Sequence, residues 1–218
     1  MVSRRVAGEP TSHILCSRSF WKNEFYINGA VLDPRPDSEL IIDVSKDLLF
    51  DGMKVLDLGC GSGCIGISLY QENPNIILSL ADFSKKALYI SKKNAIKCKA
   101  VCEFKHSNLF TSIDEKYDLI VTNLPYVAKD DFFYLQKEII LYEPHEALYG
   151  GVSGLDKIKY FLGDVSRHLN KNGIFLIEFG NGQDVLLKQE LIKFNFSKFD
   201  FHKDLNGVSR LVCVIKDT

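Results

Sequence analysis

The chain has no stretch approaching the roughly 18–20 apolar residues that a membrane-crossing helix needs, so no membrane span is expected. Its first fifteen residues mix Arg4, Arg5, Glu9 and Pro10 with little apolar continuity, which argues against a secretory leader. Neither sign of charge is in excess. Lys and Arg total 27 against 28 Asp and Glu, a net charge of −1, so no global basic field draws the protein onto nucleic acid. Internal repeats and low-complexity segments are missing. A disulfide framework is also missing: the six cysteines (Cys16, Cys60, Cys64, Cys98, Cys102 and Cys213) are scattered through a chain long enough to bury a core, and reduced thiols are expected. Cys98, Cys102 and nearby His106 match no familiar zinc spacing, so no metal site is assigned. The cytoplasm is the simplest location.

What is present is an ordinary globular composition. The chain has 218 residues, 46% apolar and 25% charged, enough for one α/β domain with a small extension. Residues 1–36 read as an appendage, in which Phe20, Trp21, Phe25, Tyr26 and Ile27 surround hairpin turns. Asp33-Pro34-Arg35-Pro36 then stiffens the chain, because each proline fixes its own φ and restricts its predecessor. Asp37 or Ser38 is placed to cap a helix through Leu49, and Arg35 is held on a rigid segment where it either starts that helix or meets a ligand. Residues 37–218 form the main domain. Strands are expected at 54–58, 76–81, 101–105, 117–122, 173–179, 197–202 and 209–215, and helices at 64–72, 84–98, 131–140, 154–169 and 182–193. The alternation argues for a mostly parallel sheet covered on both faces. Residues 170–173 read as a turn before the fifth strand, with Gly173 a candidate helix C-cap.

Two loops carry chemistry. In the first, Asp57-Leu58-Gly59-Cys60-Gly61-Ser62-Gly63 follows an apolar strand and opens a helix. Glycine at Gly59, Gly61 and Gly63 lets the backbone approach a ligand, and the helix start offers free N–H groups. Asp57 is placed to accept loop amides or to face a cation. Asp82, ending the next strand, sits where an acidic side chain takes both ribose hydroxyls. Gly61, Gly63 and Gly66 form a G-x-G-x-x-G, by itself weak: a dinucleotide site, a sulfonium methyl donor and a tight structural turn all fit. A carboxylate beside the loop repels pyrophosphate and suits a sulfonium with an α-amino group. After the third strand, Asn108 is a candidate for a base edge and Leu109 for an apolar wall, or the two belong to a plain polar loop.

In the second loop, Asn123-Leu124-Pro125-Tyr126 ends the apolar run Leu119-Ile120-Val121. The Asn123 carboxamide offers an acceptor and a donor from one flat group. With a backbone carbonyl of Asn123 or Leu124 it can hold the NH₂ of a planar substrate, while Pro125 restricts Leu124 and Tyr126 packs on the substrate edge. An amide nitrogen is a poor nucleophile. Orienting it and stabilising its developing positive charge is the help it needs, with no strong base. The alternative is a turn at a strand end with Tyr126 in the core.

These segments resemble the bacterial HemK/PrmC family of release-factor glutamine methyltransferases, within the class I S-adenosylmethionine-dependent enzymes. Arg35-Pro36-Asp37-Ser38-Glu39 is similar to the family's R-P-[ED]-[ST]-E, and Asn123-Leu124-Pro125-Tyr126-Val127 to its N-P-P-Y-[IV]. Tyr142-Glu143-Pro144-His145-Glu146-Ala147-Leu148 and Gly151-Val152-Ser153-Gly154-Leu155-Asp156 resemble the segment that follows, and Lys203-Asp204-Leu205-Asn206-Gly207-Val208-Ser209-Arg210 the region near the end. The resemblance covers nearly the whole chain. It implies a seven-stranded, mostly parallel Rossmann-like methyltransferase sheet with helices on both faces and a short N-terminal hairpin appendage. It implies transfer of a methyl group from S-adenosyl-L-methionine to the glutamine side-chain nitrogen in the Gly-Gly-Gln loop of a peptide-chain release factor. Asp57 and the glycines would hold the donor's amino-acid end, Asp82 its ribose, Asn108 and Leu109 its adenine. Asn123 would orient the amide, with Arg35 and Glu39 at the active-site mouth. A monomer is expected. The rival functions are methylation of a nucleobase amine and a catalytically inert binding module. Two departures stand out. Only seven residues precede Gly8, where the family usually carries a helical domain that grips the release factor. Leu124 replaces a usual proline, giving a loop like that of ribosomal RNA adenine dimethyltransferases.

Overall fold

Where apolar residues run without alternation, both faces of a strand must be covered. In the computed structural model, which describes residues 1–216, those runs become the centre of one sheet. The N-terminal region holds helices α1 (Val2–Val6) and α2 (Thr11–Leu15) and a hairpin of β1 (Arg18–Phe20) and β2 (Asn23–Phe25). Then follow α3 (Glu39–Ser45), β3 (Lys54–Leu58), α4 (Cys64–Glu72), β4 (Ile77–Asp82), α5 (Lys85–Lys97), β5 (Cys102–His106) and β6 (Tyr117–Thr122). The chain ends with α6 (Lys137–Tyr142), α7 (Asp156–Val165), β7 (Leu169–Glu178), α8 (Asp184–Lys193), β8 (Lys198–Lys203) and β9 (Ser209–Ile215). The sheet order is β5-β4-β3-β6-β7-β9-β8, parallel except where β9 pairs with β7 and β8.

Side chains alternate across the sheet with a period of two. Val55, Leu119, Val121 and Leu176 pack towards Ile41 and Ile42 of α3 and Ile65, Ile67 and Leu69 of α4. Leu56, Leu58, Ile120, Phe175 and Ile177 pack on the opposite face towards Phe161 of α7 and Leu187 and Leu191 of α8. The hairpin joins the first of these layers: Phe20 and Phe25 are buried there, edge to face at 6.1 Å. Strand order reverses at β3, whose neighbours are β4 on one side and β6 on the other. A crevice opens at such a switch point beyond the strand C-termini, and both sequence loops emerge there.

Four expectations are corrected. Residues 131–140 are not one helix: a 3₁₀ turn over Asp131–Tyr134 ends at extended Leu135, and α6 begins at Lys137. Phe132 turns edge-on to His145 and Tyr149, which fixes the chain path that a continuous helix would abolish. The helix expected after Asp37 is shorter, with 3₁₀ turns on either side of α3, and Ser38 makes no capping bond, its own backbone being already helical at φ −69° and ψ −15° where a cap is extended. Helix α7 stops at Val165 and continues only as a 3₁₀ turn over Ser166–His168. Strand β7 begins at Leu169, so residues 170–173 lie within it, at an irregularity where Asn172 takes φ 59° and Asn170 Nδ2 donates to Asp118 Oδ1. Gly173 therefore caps no helix. Among the described residues no helix is long and apolar enough to cross a membrane, and no group of three His, Cys, Asp or Glu is arranged to hold a metal.

Because Phe25 is fully buried between hairpin and sheet, Phe25→Ala is expected to cost ~3–5 kcal/mol. Urea denaturation compared with wild type checks this; a change under ~1 kcal/mol would mean that the hairpin is not part of the core.

Candidate active site

The parallel pairing of β3 with β6 sets Leu58 beside Thr122, and the Thr122 hydroxyl donates to the Leu58 carbonyl at 2.6 Å. The glycine loop and the Asn123 loop therefore leave the sheet side by side. Between and around them lie two cavities, about 940 Å³ and about 120 Å³, which share Gly59, Phe83, Leu124, Pro125 and Glu146 as walls. The larger also meets Asn108 and Leu109, and the smaller meets Arg35, Gly61, Asp82 and Asn123. Together they form one cleft of a size that suits a nucleoside-sized ligand.

The glycine loop turns through left-handed backbone at Gly59 (φ 74°), Gly61 (54°) and Gly63 (79°). At Gly61 a Cβ would meet no atom within 4 Å and would project into open space where a ligand must approach. Asp82 braces the loop: its Oδ2 accepts from Gly61 N–H at 2.9 Å and its Oδ1 from Ser84 N–H at 2.8 Å. Burial nevertheless raises the Asp82 pKa. Asp57 lies beneath, 1% exposed and outside both cavity walls; its Oδ2 accepts from Gly66 N–H at 2.9 Å. Its Oδ1 is buried without a hydrogen-bond partner, and burial pushes its carboxyl up to about 7, with the Asp82 charge adding to the rise. A leftover acceptor on a desolvated carboxyl is a place where positive charge would be favoured.

Asn108 is exposed and Leu109 holds φ 49°, an unusual conformation for leucine. Ser107 pins it, donating to Leu109 O at 2.7 Å while accepting from Ser112 N–H at 3.0 Å. Asn123 donates through Nδ2 to Ser38 Oγ at 3.0 Å. Tyr126 lines neither cavity. Its hydroxyl donates to Glu178 Oε1 at 3.2 Å, and its carbonyl accepts from Gln183 Nε2 at 2.9 Å. The ring thus braces the loop from behind, where a substrate-facing position was expected. Gly150 packs against the same loop so closely that a Cβ would lie 2.6 Å from Pro125 O and 2.7 Å from Tyr126 Cα. Arg35 Nη2 bridges both oxygens of buried Glu143 at 2.7 and 2.8 Å, and Glu39 Oε1 accepts from Trp21 N–H at 2.8 Å, away from both cavities.

With this geometry in place, likeness to known proteins becomes informative. Residues 36–151 match the methyltransferase small domain family. The release factor glutamine methyltransferase of Koribacter versatilis is 35% identical over 100% of this chain and 78% of its own length, and that of Geobacter sulfurreducens is 32% identical over 97% and 75%. The chain belongs to the release factor glutamine methyltransferase family. A solved methyltransferase structure from Pyrococcus furiosus superposes with a TM-score of 0.69 over 100% of this chain and 98% of that one; at 16% identity it speaks for the fold.

Several residues that build the site were not singled out in the sequence. Asn94 of α5 is fully buried: it accepts Tyr26 N–H and donates to the Tyr26 and Ser62 carbonyls, tying the segment after the hairpin to the glycine loop. An asparagine inside a helix is a weak signal, since it is a poor helix former. Glu178 was more visible, a lone acid closing the buried run Ile174-Phe175-Leu176-Ile177. Gln183 left no signal of its own. The family segment Gly151–Asp156 also acquires a structural reason, because Asp156 accepts from Val152 N–H and Ser153 Oγ and so shapes the turn lying on Tyr126 and Pro125.

The raised Asp57 pKa makes a prediction whose sign is fixed. The unfolded carboxyl ionises near 3.8 and the folded one at about 7, so the fold loses stability as pH rises between those values. Asp57→Asn keeps an acceptor for Gly66 N–H and removes the titration. Urea midpoints should show the variant gaining on wild type from pH 4 to pH 8, by at most roughly 4 kcal/mol. A difference that does not change with pH would contradict this origin.

Proposed function

We propose that the cleft transfers a methyl group to the side-chain amide nitrogen of glutamine in the Gly-Gly-Gln loop of a peptide-chain release factor. The observation that carries this reading is the placement of Asn123 and the glycine loop on one cleft, with Asn123 Nδ2 already bonded to Ser38 so that Oδ1 is left to accept an N–H. S-adenosyl-L-methionine, when bound, supplies a methyl carbon made electrophilic by its sulfonium. The residues present fit it: left-handed glycines open to a ligand, an unfilled buried acceptor on Asp57, and Asp82 at the end of β4. Gly59, Gly61 and Gly63 hold the donor's amino-acid end and Asp57 supports them from beneath. Asp82 takes the ribose, Asn108 and Leu109 the adenine.

Asn123 Oδ1 and the Leu124 backbone carbonyl accept the two N–H groups of the target amide. Two acceptors orient the nitrogen, favour the positive charge that develops on it and align it for in-line attack. No residue acts as general base, and the product loses its proton to water after transfer. Leu124 and Pro125 form the wall between donor and acceptor. Arg35 and Glu39 organise the mouth indirectly, Arg35 through Glu143 and Glu39 through the hairpin turn at Trp21. Residues 1–36 serve as an appendage to the catalytic domain of 37–218, and the enzyme works as a cytoplasmic monomer. Aromatic side chains at the rim suit a protein acceptor: Phe133 lines the larger cavity while 79% exposed, and neighbouring Tyr134 is 87% exposed.

A nucleic-acid acceptor is the second reading, favoured by the exposed lysines of α5, Lys85, Lys86, Lys92, Lys93 and Lys97, in a segment without an acid from 83 to 102. Incubation with labelled donor and separate release-factor and RNA substrates decides between them; label on the glutamine nitrogen is expected, and label on a base would displace the proposal. Asn123→Ala should lower the single-turnover rate ~100-fold or more while donor affinity holds within about twofold. Asp82→Ala should weaken donor binding ~10-fold or more by calorimetry, through lost ribose bonds and a loosened loop.

A further inference from the structure

We infer that the outer face of α5 is a docking surface for the sugar-phosphate backbone of RNA, separate from the pocket that takes the methyl acceptor. Helix α5 turns Ala87, Ile90, Ser91, Asn94 and Ala95 into the core. Its other face carries Lys85, Lys86, Lys92, Lys93 and Lys97, with Lys99 just beyond the end, and all six are exposed. Residues 83–102 contain no acid. Among the described residues none of these six lysines is ion-paired; the lysines that are paired lie elsewhere.

A helix face that meets only water is better built otherwise. Acids in the first turn and opposite charges four residues apart stabilise a helix, and the reverse arrangement destabilises it. Helices α3, α6, α7 and α8 carry Glu39, Glu138, Asp156 and Asp184 in their first turns. Helix α5 begins with Lys85 and Lys86 and places Lys97 four residues after Lys93. That self-repulsion is relieved when a polyanion lies across the face. The 13 residues of α5 span about 20 Å, so the charges form a stripe. A single phosphate would engage one part of it, whereas a chain of phosphates engages all of it.

Aromatic side chains favour a nucleic acid over an acidic peptide. Lys93 Nζ lies 4.5 Å from the centre of the Tyr26 ring and 5.1 Å from that of Tyr89, which steadies its ammonium on the face. Tyr89 remains 62% exposed among the lysines. An exposed ring gives bases a surface to stack on.

The stripe starts at the cleft mouth. Phe83 lines both cavities, and Ser84, which caps α5, lines the smaller. None of the six lysines lines either cavity, so RNA on this face is held without being methylated. The choice of RNA among nucleic acids rests on the proposed acceptor, since a peptide-chain release factor works beside ribosomal RNA. Docking there would bring the enzyme to its acceptor.

The test measures binding of a labelled uridine-rich RNA oligonucleotide to the full chain by fluorescence anisotropy at several salt concentrations. Affinity is expected to fall steeply as salt rises, because lysine–phosphate contacts release counterions. A triple variant, Lys86→Gln, Lys93→Gln and Lys97→Gln, should bind RNA ~10-fold or more weakly, with a logarithmic salt slope shallower by about 2. Tyr89→Ala should weaken binding ~5-fold or more through lost stacking. A control triple at exposed lysines elsewhere, Lys171→Gln, Lys188→Gln and Lys203→Gln, should stay within about twofold of wild type. Methyl transfer to free release factor should be unchanged in the α5 triple variant, and no label should enter the RNA. No binding of RNA, an equal loss in the control triple, polyglutamate bound as tightly as RNA, DNA bound in preference to RNA, or label on an RNA base would each overturn the inference. A chain that binds RNA through α5 and methylates no glutamine would keep this surface and remove the proposed function.

Discussion

Everything in the cleft depends on how the carboxyl ends of β3 and β6 are held together. These two parallel strands leave the sheet at the same level, and the Thr122 hydroxyl ties the second to the last carbonyl of the first. A parallel pair has no turn to fix its register, so the pairing rests on burial of both faces and on side-chain bonds of this kind. Shifting β6 by one residue would reverse its faces, putting Leu119 and Val121 where Ile120 and Thr122 now sit. It would also carry Asn123 away from Gly59 and Gly61. The distance between the glycine loop and the Asn123 loop is thus set by the sheet, and the loops inherit it.

The cleft is built at a cost in stability. Asp57, Asp82 and Glu178 are all nearly buried, and desolvation raises the pKa of each. A core designed only for stability would hold none of them. Each is tied to backbone or hydroxyl groups of the loops: Gly66 for Asp57, Gly61 and Ser84 for Asp82, Tyr126 for Glu178. The same bonds that partly offset desolvation fix the loop shapes. Strain at Leu109 and close packing at Gly150 belong with these charges, as constraints maintained because the surrounding sheet over-determines them.

The regular elements were legible because their signals are local. Strands at 54–58, 117–122 and 209–215 and the helix at 64–72 fall where apolar runs and the glycine loop placed them. The 131–140 segment defeated the same approach: its second half forms good helix, but its aromatic first half lies at the cleft rim, where Phe132 is claimed by His145 and Tyr149. In the site, the glycines, Asp82 and Asn123 were visible from their position after strands. Tyr126 was visible as a residue and misread in direction, since nothing local says whether an aromatic ring at a loop faces a ligand or a buried carboxylate from a strand 52 residues later.

By itself the sequence determined the order of strands and helices, the two loops that emerge at the switch point, and the family to which the chain belongs. These follow from side-chain period, glycine conformational freedom and short motifs, all of which act over a few residues. Tertiary structure alone decided the partners: Ser38 with Asn123, Arg35 with Glu143, Glu39 with Trp21, Asn94 with Tyr26 and Ser62. A hydrogen bond depends on distance and direction in space. Groups separated by up to 108 positions along the chain meet only after the sheet has closed and the hairpin has packed against it.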